Sequence, residues 1–333
     1  MLISFIVVAY NAEKVIKDCF NSLNEQNYPH KEIEVLLVDS NSTDNTKKIM
    51  NEFKKNFEKD YNRIIILDNP KKTLPCGWNV ALKNAKGEAI LRVDAHTIYP
   101  KDFIMKNVTE INGENIVGGK CISITKDDTQ WEKTLLIAEE SIFGCGIADF
   151  RRKNEKKYVS TLAFAMYRKK VFDEVGYYNE NLARTEDNEM HYRMKKAGYK
   201  FLLSPEIVTY RYTRSTLKDM IKQKYGNGKW IGITIKYCPK CFSIYHFVPL
   251  CFVLSIIISL ILLLFNFNIP ILLILGLYGL FNIINLIFIF VKYGFNIQYL
   301  LLPFIFLILH CSYGFGTIVG LIKCLFIKKQ KSE

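Results

Sequence analysis

From residue 244 to residue 322 the chain carries one formally charged side chain, Lys292, in a background of Leu, Ile and Phe. The apolar stretches cover about 244–265, 269–291 and 299–322. Each exceeds the roughly 20 residues that cross a hydrocarbon core, and three in succession argue against helices buried in a soluble fold. Before about residue 237, charged and apolar residues alternate as in a soluble domain. The expected division is therefore a soluble domain over 1–215, an interfacial segment over 216–243, a membrane domain over 244–322 and a basic tail over 323–333.

The orientation of that membrane domain is open. With the soluble domain, Lys236 and Lys240 on the cytoplasmic side, three full crossings put Lys323, Lys328, Lys329 and Lys331 outside, against the positive-inside tendency. Either one stretch is re-entrant or interfacial, with Pro270, Pro303 and Tyr313-Gly-Phe-Gly316 as break points, or the rule fails here.

Lys and Arg outnumber Asp and Glu, 45 − 32 = +13, which suits anionic partners such as nucleotide diphosphates and lipid head groups; most of the lysines read as solvated surface. No RNA-reading motif with interleaved aromatics is present, so nucleic acid is not an expected partner. The nine cysteines are scattered and odd in number, which fits a reducing compartment. Cys238-Pro-Lys-Cys241 has no second ligand pair nearby for a structural zinc. The sequence carries no signal for a protein partner or an oligomeric state.

Residues 2–9 form an apolar run too short to span a membrane and suited to a strand buried on both faces. Ala12, Val15, Ile16, Cys19 and Leu23 follow at helical spacing. A second strand over 32–38 ends in Asp39, and Ser42-Thr43-Asp44 offers a cap for a helix over 46–57. A strand over 63–67, a helix over 77–85 closed by Gly87 and a strand over 88–93 stopping at Asp94 complete the pattern. Further on, short strands are expected at 116–117, 159–167 and 200–203, with a helix over 186–197 ended by Gly198. The alternation predicts an α/β fold with a parallel sheet between helical layers, in which ligands bind beyond the carboxyl ends of the strands, where Asp39 and Asp94 lie.

Phe5-Ile-Val-Val-Ala-Tyr-Asn-Ala-Glu13 and Val38-Asp-Ser-Asn-Ser-Thr-Asp44 resemble the nucleotide-binding start of family 2 glycosyltransferases, which have the GT-A fold. Leu91-Arg-Val-Asp-Ala-His96 is similar to their D-x-D metal motif. Arg184-Thr-Glu-Asp187, with Glu189, Arg193 and Gly198-Tyr199, is similar to the acceptor-side segment bearing their catalytic base. The order and spacing agree over roughly the first 230 residues. The D-A-H variant, the Thr185-Glu-Asp-Asn-Glu189 run and the short membrane tail most resemble the succinoglycan-type exopolysaccharide glycosyltransferases.

The resemblance implies a Rossmann-like, mostly parallel sheet with flanking helices, joined to C-terminal transmembrane helices and held at the cell membrane with its catalytic domain in the cytoplasm. It implies inverting transfer from a nucleotide-sugar donor, by family frequency a UDP-sugar, to a lipid-linked or saccharide acceptor in exopolysaccharide or cell-surface glycan synthesis. Donor contacts fall on Ala9, Tyr10, Glu13, Asp39 and Asp94, and a divalent cation, Mn²⁺ or Mg²⁺, on Asp94 and His96. Asp187 becomes the general base, with Glu186, Lys229 and Trp230 on the acceptor or diphosphate side.

The chemistry suits these residue types. A departing diphosphate gains negative charge that a cation neutralises, and a carboxylate with an imidazole suits Mn²⁺ at least as well as Mg²⁺. His96 stands where the family has a second carboxylate. Inversion needs one carboxylate to take the acceptor hydroxyl's proton; Glu186, Asp187 and Glu189 also read as ordinary charges at a helix start. Asp39 can accept from a base or ribose, or cap its own turn. Tyr10 can wall a pocket or fill the core. Gln223 to Trp230 resembles the Q-x-x-R-W motif of processive members, with longer spacing and Lys229 in place of Arg; Trp230 is equally an interfacial anchor.

Three alternatives stand beside this reading. One is a transferase using bare polyprenyl phosphate as acceptor. Another is a sugar nucleotidyltransferase, which wants a Gly- and Arg-rich loop that Tyr10-Asn-Ala-Glu-Lys14 does not supply. The third is a non-catalytic scaffold or transporter, for which the apolar stretches offer only His246 and His310. His310 with Tyr313 could contact a lipid phosphate, or be satisfied within a helix bundle.

Overall fold

β1 (Ile3–Ala9) and β2 (Ile33–Asp39) are buried at every position, as inner strands of a parallel sheet covered on both faces must be. The structure is a computed structural model that describes residues 1–144, Phe150 and 154–327. Cys145 and the tail lysines Lys328, Lys329 and Lys331 lie outside the described residues. With β3 (Arg63–Asp68) and β4 (Ala89–Asp94), the first strands form a parallel array in the order β3-β2-β1-β4.

Alternate side chains of β1 enter different cores. Ile3, Phe5 and Val7 pack with Ile16 and Phe20 of α1 (Ile16–Asn24), Met50 and Phe53 of α2 (Thr46–Phe57), and Phe103 of α4 (Phe103–Ile111). Ile6 and Val8 pack on the other face with Trp78 of α3 (Leu74–Asn84), Phe172 of α6 (Lys169–Val175), and Met190 of α7 (Glu186–Lys196). Each such burial contributes about 1.5–3 kcal/mol, so a charge at Val7 would disrupt the sheet from within.

The chain builds β1, β2 and β3 in one direction and then returns to place β4 on the far side of β1. Strand order reverses there, and the crevice beyond such a reversal is where open α/β sheets take ligands. Register brings Ala9 beside Asp39 and Val8 beside Asp94 at that edge.

The rest of the sheet is mixed. β8 (Met166–Arg168) is antiparallel to β4 and to β6 (Ile116–Ile124), and β6 is parallel to β9 (Phe201–Tyr212). β5 (Thr97–Ile98) and β7 (Lys157–Val159) pair antiparallel with β9. A register shift interrupts β6 between Gly118 and Lys120, where a Cβ on Gly119 would lie 1.8 Å from the Ile207 carbonyl oxygen; only glycine fits that approach. The single strand expected over 159–167 is two, β7 and β8. Phe164 has φ +48, a left-handed conformation that cannot continue a strand. α7 ends before Gly198, at φ +90, as the sequence predicts.

Two compact units divide the chain: Met1–Ile124 with Ala148–Tyr212, and Thr125–Ile147 with Thr213–Glu333. The segment Thr125–Ile147, expected inside the 1–215 domain, therefore groups with the C-terminal helices. Its α5 (Gln130–Glu140) buries Leu135 and Ala138 with Leu302, Ile305 and Phe306 of α11 (Leu302–Phe326). α8 (Leu217–Thr234) also lies against α11, backbone to backbone: a Cβ on Gly316 would meet the Tyr225 oxygen at 2.2 Å, and one on Gly320 the Lys229 oxygen at 2.1 Å. Gly228 and Gly232 make the reciprocal approach from α8, so small residues spaced four apart set the helix contact.

Among the described residues, three helices are long and apolar enough to cross a membrane, spanning Ile244–Leu263, Ile269–Tyr293 and Ile297–Phe326; they contain α9 (Val248–Leu263), α10 (Ile269–Tyr293) and α11. None of the expected break points breaks one. Pro270 and Pro303 stand in first turns, where a missing N–H costs nothing, and Tyr313-Gly-Phe-Gly316 lies inside uninterrupted α11. His310 is satisfied within the bundle, by the Phe143 carbonyl at 2.6 Å and the Tyr278 hydroxyl at 3.0 Å.

Candidate active site

The loops after β1 and β2 are stitched to each other. Asn11, at φ +48, accepts from Thr43 N at 2.8 Å through its side chain, and its own N–H donates to the Ser42 hydroxyl at 3.1 Å. Ala12 N donates to the Thr46 hydroxyl and Glu13 N to the Asp44 carboxylate. The Glu13 carboxylate in turn accepts from Asn45 N at 3.0 Å, at the start of α2. Two of the expected donor residues are thus employed in the scaffold: Glu13 at the helix start, and Ala9 through its carbonyl, which accepts from Ser40 N. Asp39, 2% exposed, accepts from Ser42 N at 3.3 Å, the local turn chemistry that its sequence allows. Tyr10 is 52% exposed, so it is not a core aromatic.

A cavity of about 190 Å³ opens beside β4, lined by Asp94, Asp187, Arg92, Arg211, Tyr167 and the loop residues Leu162 to Phe164, among others. Asp94 ends β4 and Asp187 opens α7. Arg92, two residues before Asp94 on β4, donates to Glu186 at 3.1 Å and lies over the adjacent rings of Trp78 and Tyr178, 5.0 and 5.5 Å from their centroids. The strand end and the helix start are therefore clamped through Arg92 and Glu186. Glu186 is 4% exposed; burial, with Asp187 beside it, pushes its carboxyl up to about 7 against the pull of Arg92.

His191, one turn on from Asp187, completes the underside. Its ring bonds the Thr161 hydroxyl at 2.8 Å and the Tyr167 hydroxyl at 3.0 Å. Burial brings its pKa down to about 4, so the ring is neutral near pH 7. Sequence reasoning assigned no role to Arg92, Arg211 or His191. A charged residue inside the otherwise buried run of β4 was the available signal for Arg92, because such a group must find a partner. Arg211, within Tyr-Arg-Tyr of β9, carries no such signal.

Residues 4–176, half of the chain, match Glycosyl transferase family 2. The chain is a family 2 glycosyltransferase. It is 29% identical over 333 residues to dolichyl N-acetyl-alpha-D-glucosaminyl phosphate 3-beta-D-2,3-diacetamido-2,3-dideoxy-beta-D-glucuronosyltransferase of Methanococcus voltae, covering 96% of this chain and 97% of that one. It is 27% identical to the succinoglycan biosynthesis protein ExoA of Rhizobium meliloti, over 59% of this chain and 58% of that protein. The solved mannosyltransferase of Pyrobaculum calidifontis superposes with a TM-score of 0.52 at 17% identity, over 70% of this chain and 64% of that one; the likeness shows the shared GT-A fold. Family membership selects a glycosyltransferase over the nucleotidyltransferase and non-catalytic scaffold alternatives.

The glycosyltransferase presents Asp94 to its cavity, whereas His96, half-buried in the turn that follows, is not among the lining residues. Among the described residues no three His, Cys, Asp or Glu side chains gather into a cage for a metal ion. One carboxylate at a strand end fits a cation that takes its other ligands from substrate phosphates and water, as Mg²⁺ commonly does. Lys229 and Trp230 belong to α8 of the second unit. Burial and the Lys323 ammonium hold the Lys229 amine below the usual lysine range.

Proposed function

We propose that this glycosyltransferase is an inverting enzyme that takes a sugar from a nucleotide donor and passes it to a lipid-linked saccharide at the cytoplasmic face of the cell membrane, in the synthesis of a surface glycan. One observation carries the reading: Asp94 and Asp187 line the same cavity beside the carboxyl end of β4. The Methanococcus relative, similar from end to end, is named for a dolichyl-linked acceptor, and the Pyrobaculum enzyme was solved with GDP-Man and Mn²⁺. Three membrane-length helices among the described residues suit a lipid-linked acceptor, and the scattered, odd-numbered cysteines of the sequence suit a reducing compartment.

In the proposed reaction the acceptor oxygen attacks the anomeric carbon as the bond to the diphosphate oxygen breaks on the opposite face. The hydroxyl proton passes to the Asp187 carboxylate, and the bonding pair leaves with the diphosphate. A divalent cation held by Asp94, and not by the His96 that the sequence also suggested, would neutralise the leaving group's charge. Arg92 and Glu186 hold Asp187 at its distance from Asp94, and neutral His191 supports the helix that carries it. Tyr10, Glu13 and Asp39 border the nucleotide.

The test uses the full chain in detergent with radiolabelled nucleotide sugars, lipid extracts, and Mn²⁺ or Mg²⁺. Asp187→Asn should bind the donor as wild type does and lose transfer by about 100-fold or more. Retained transfer would remove Asp187 as the base. Mass spectrometry of the product separates an extended saccharide lipid from a sugar placed on bare polyprenyl phosphate.

A further inference from the structure

We propose that Lys229 and Lys323 together bind the phosphate of a membrane lipid, one that carries two negative charges. The site lies wholly within the second unit and does not depend on the reaction proposed above. α8 and α11 run with their backbones in contact there. A Cβ on Gly320 would lie 2.1 Å from the Lys229 carbonyl oxygen, and one on Gly316 3.1 Å from Lys229 N. Lys323 stands three residues, about one turn, beyond Gly320, and its ammonium reaches that of half-buried Lys229. Like charges in contact repel, so this pair costs free energy until an anion joins it.

No carboxylate is placed to supply that charge. Between residues 213 and 327 nine Lys and Arg stand against one acidic residue, Asp219. Asp219 accepts from the Thr216 hydroxyl at 2.6 Å and lies about 15 Å along α8 from Lys229. α5, with the unit's other carboxylates nearby, packs at the opposite end of α11, against Leu302 to Phe306. Among the described residues neither Lys229 nor Lys323 forms an ion pair. Lys236 is employed differently: it donates to the Cys324 carbonyl at 3.1 Å and to that of Ile327, so the end of α11 already has its capping cation. A phosphate offers oxygens to both remaining ammoniums at once, and two charges on it offset their repulsion. The surroundings favour a lipid as its carrier. Lys323 ends a membrane-length helix, where a long stem takes the ammonium to head-group level. Ile322, Leu325 and Phe326 beside it are exposed apolar side chains, against which the chain of a lipid can lie.

The experiment titrates the full chain in neutral detergent with short-chain phosphatidic acid, short-chain phosphatidylglycerol and inorganic phosphate, by calorimetry. Phosphatidic acid, a monoester with about two negative charges near pH 7, should bind wild type about tenfold tighter than singly charged phosphatidylglycerol, and tighter than inorganic phosphate. Lys229→Gln and Lys323→Gln should each weaken phosphatidic acid by about 5- to 20-fold. Lys222→Gln, which removes an exposed charge elsewhere on α8, should change it by less than about twofold. Lys323→Glu, which offers Lys229 a carboxylate, should abolish binding without lowering the unfolding temperature of the lipid-free protein. Equal losses at all three lysines would mean diffuse surface charge and overturn the site, as would no loss at Lys229 or Lys323. Inorganic phosphate bound as tightly as phosphatidic acid would overturn the lipid, and phosphatidylglycerol bound as tightly would overturn the double charge. A lowered unfolding temperature in Lys323→Glu would give that lysine a structural role instead.

Discussion

Glu186→Gln isolates what burial does at this site. The wild-type carboxyl sits at about 7 in the folded protein against an ordinary 4.5, chiefly because it is desolvated, and secondarily because Asp187 is adjacent. A folded-state pKa above the unfolded one means that the native protein holds the proton more tightly. The resulting stability is complete below pH 4.5 and is lost as pH rises through 7. At 1.36 kcal/mol per pH unit, the interval corresponds to about 3 kcal/mol. Glutamine keeps the shape and an oxygen for Arg92 to donate to, but does not titrate. The gap in unfolding temperature between variant and wild type should therefore shift in the variant's favour by about 6–12 °C between pH 5 and pH 8, followed by thermal unfolding of the full chain in detergent. Parallel curves for the two proteins would refute the reasoning, because Arg92 would then outweigh burial and keep the carboxylate ionised throughout.

His191 has the opposite sign: its pKa falls to about 4, so stability present above pH 6.5 is lost as pH falls toward 4, by about 3 kcal/mol. His191→Gln should flatten that acid limb of the unfolding curve and leave the limb above pH 7 as in wild type. In the second unit, Gly316→Ala places a methyl against the Tyr225 carbonyl and should cost about 1–3 kcal/mol in detergent unfolding. Gly276→Ala and Gly279→Ala, which open onto free space, should be neutral within about 0.5 kcal/mol; equal effects at all three would remove the packing account.

Much of the first unit was readable in the chain. The strands to Asp39 and Asp94, the helix over 46–57 and the Gly198 stop stand where apolar periodicity and end signals put them. The motif around Asn11 and Ser42 was readable as a motif but not as a mechanism: most of its side chains bond each other across the two loops. The split between β7 and β8 was hidden because apolar Leu162, Ala163 and Phe164, which look like strand, line the cavity instead. The attachment of α5 to α11 was equally hidden, since an amphipathic helix does not say which apolar surface will receive it.

Side-chain periodicity, helix-end residues and an almost charge-free stretch are properties of neighbouring residues, and so the α/β alternation and the membrane-length helices follow from the chain alone. Partnership between distant residues is of another kind. Arg92 and Glu186 are separated by 94 positions, and nothing near either names the other. Only the folded sheet, with α7 packed on one of its faces, brings Asp187 to the cavity of Asp94 and β9 to its rim with Arg211. A charge clamp assembled from two distant segments, β4 and α7, exists only once the chain has folded.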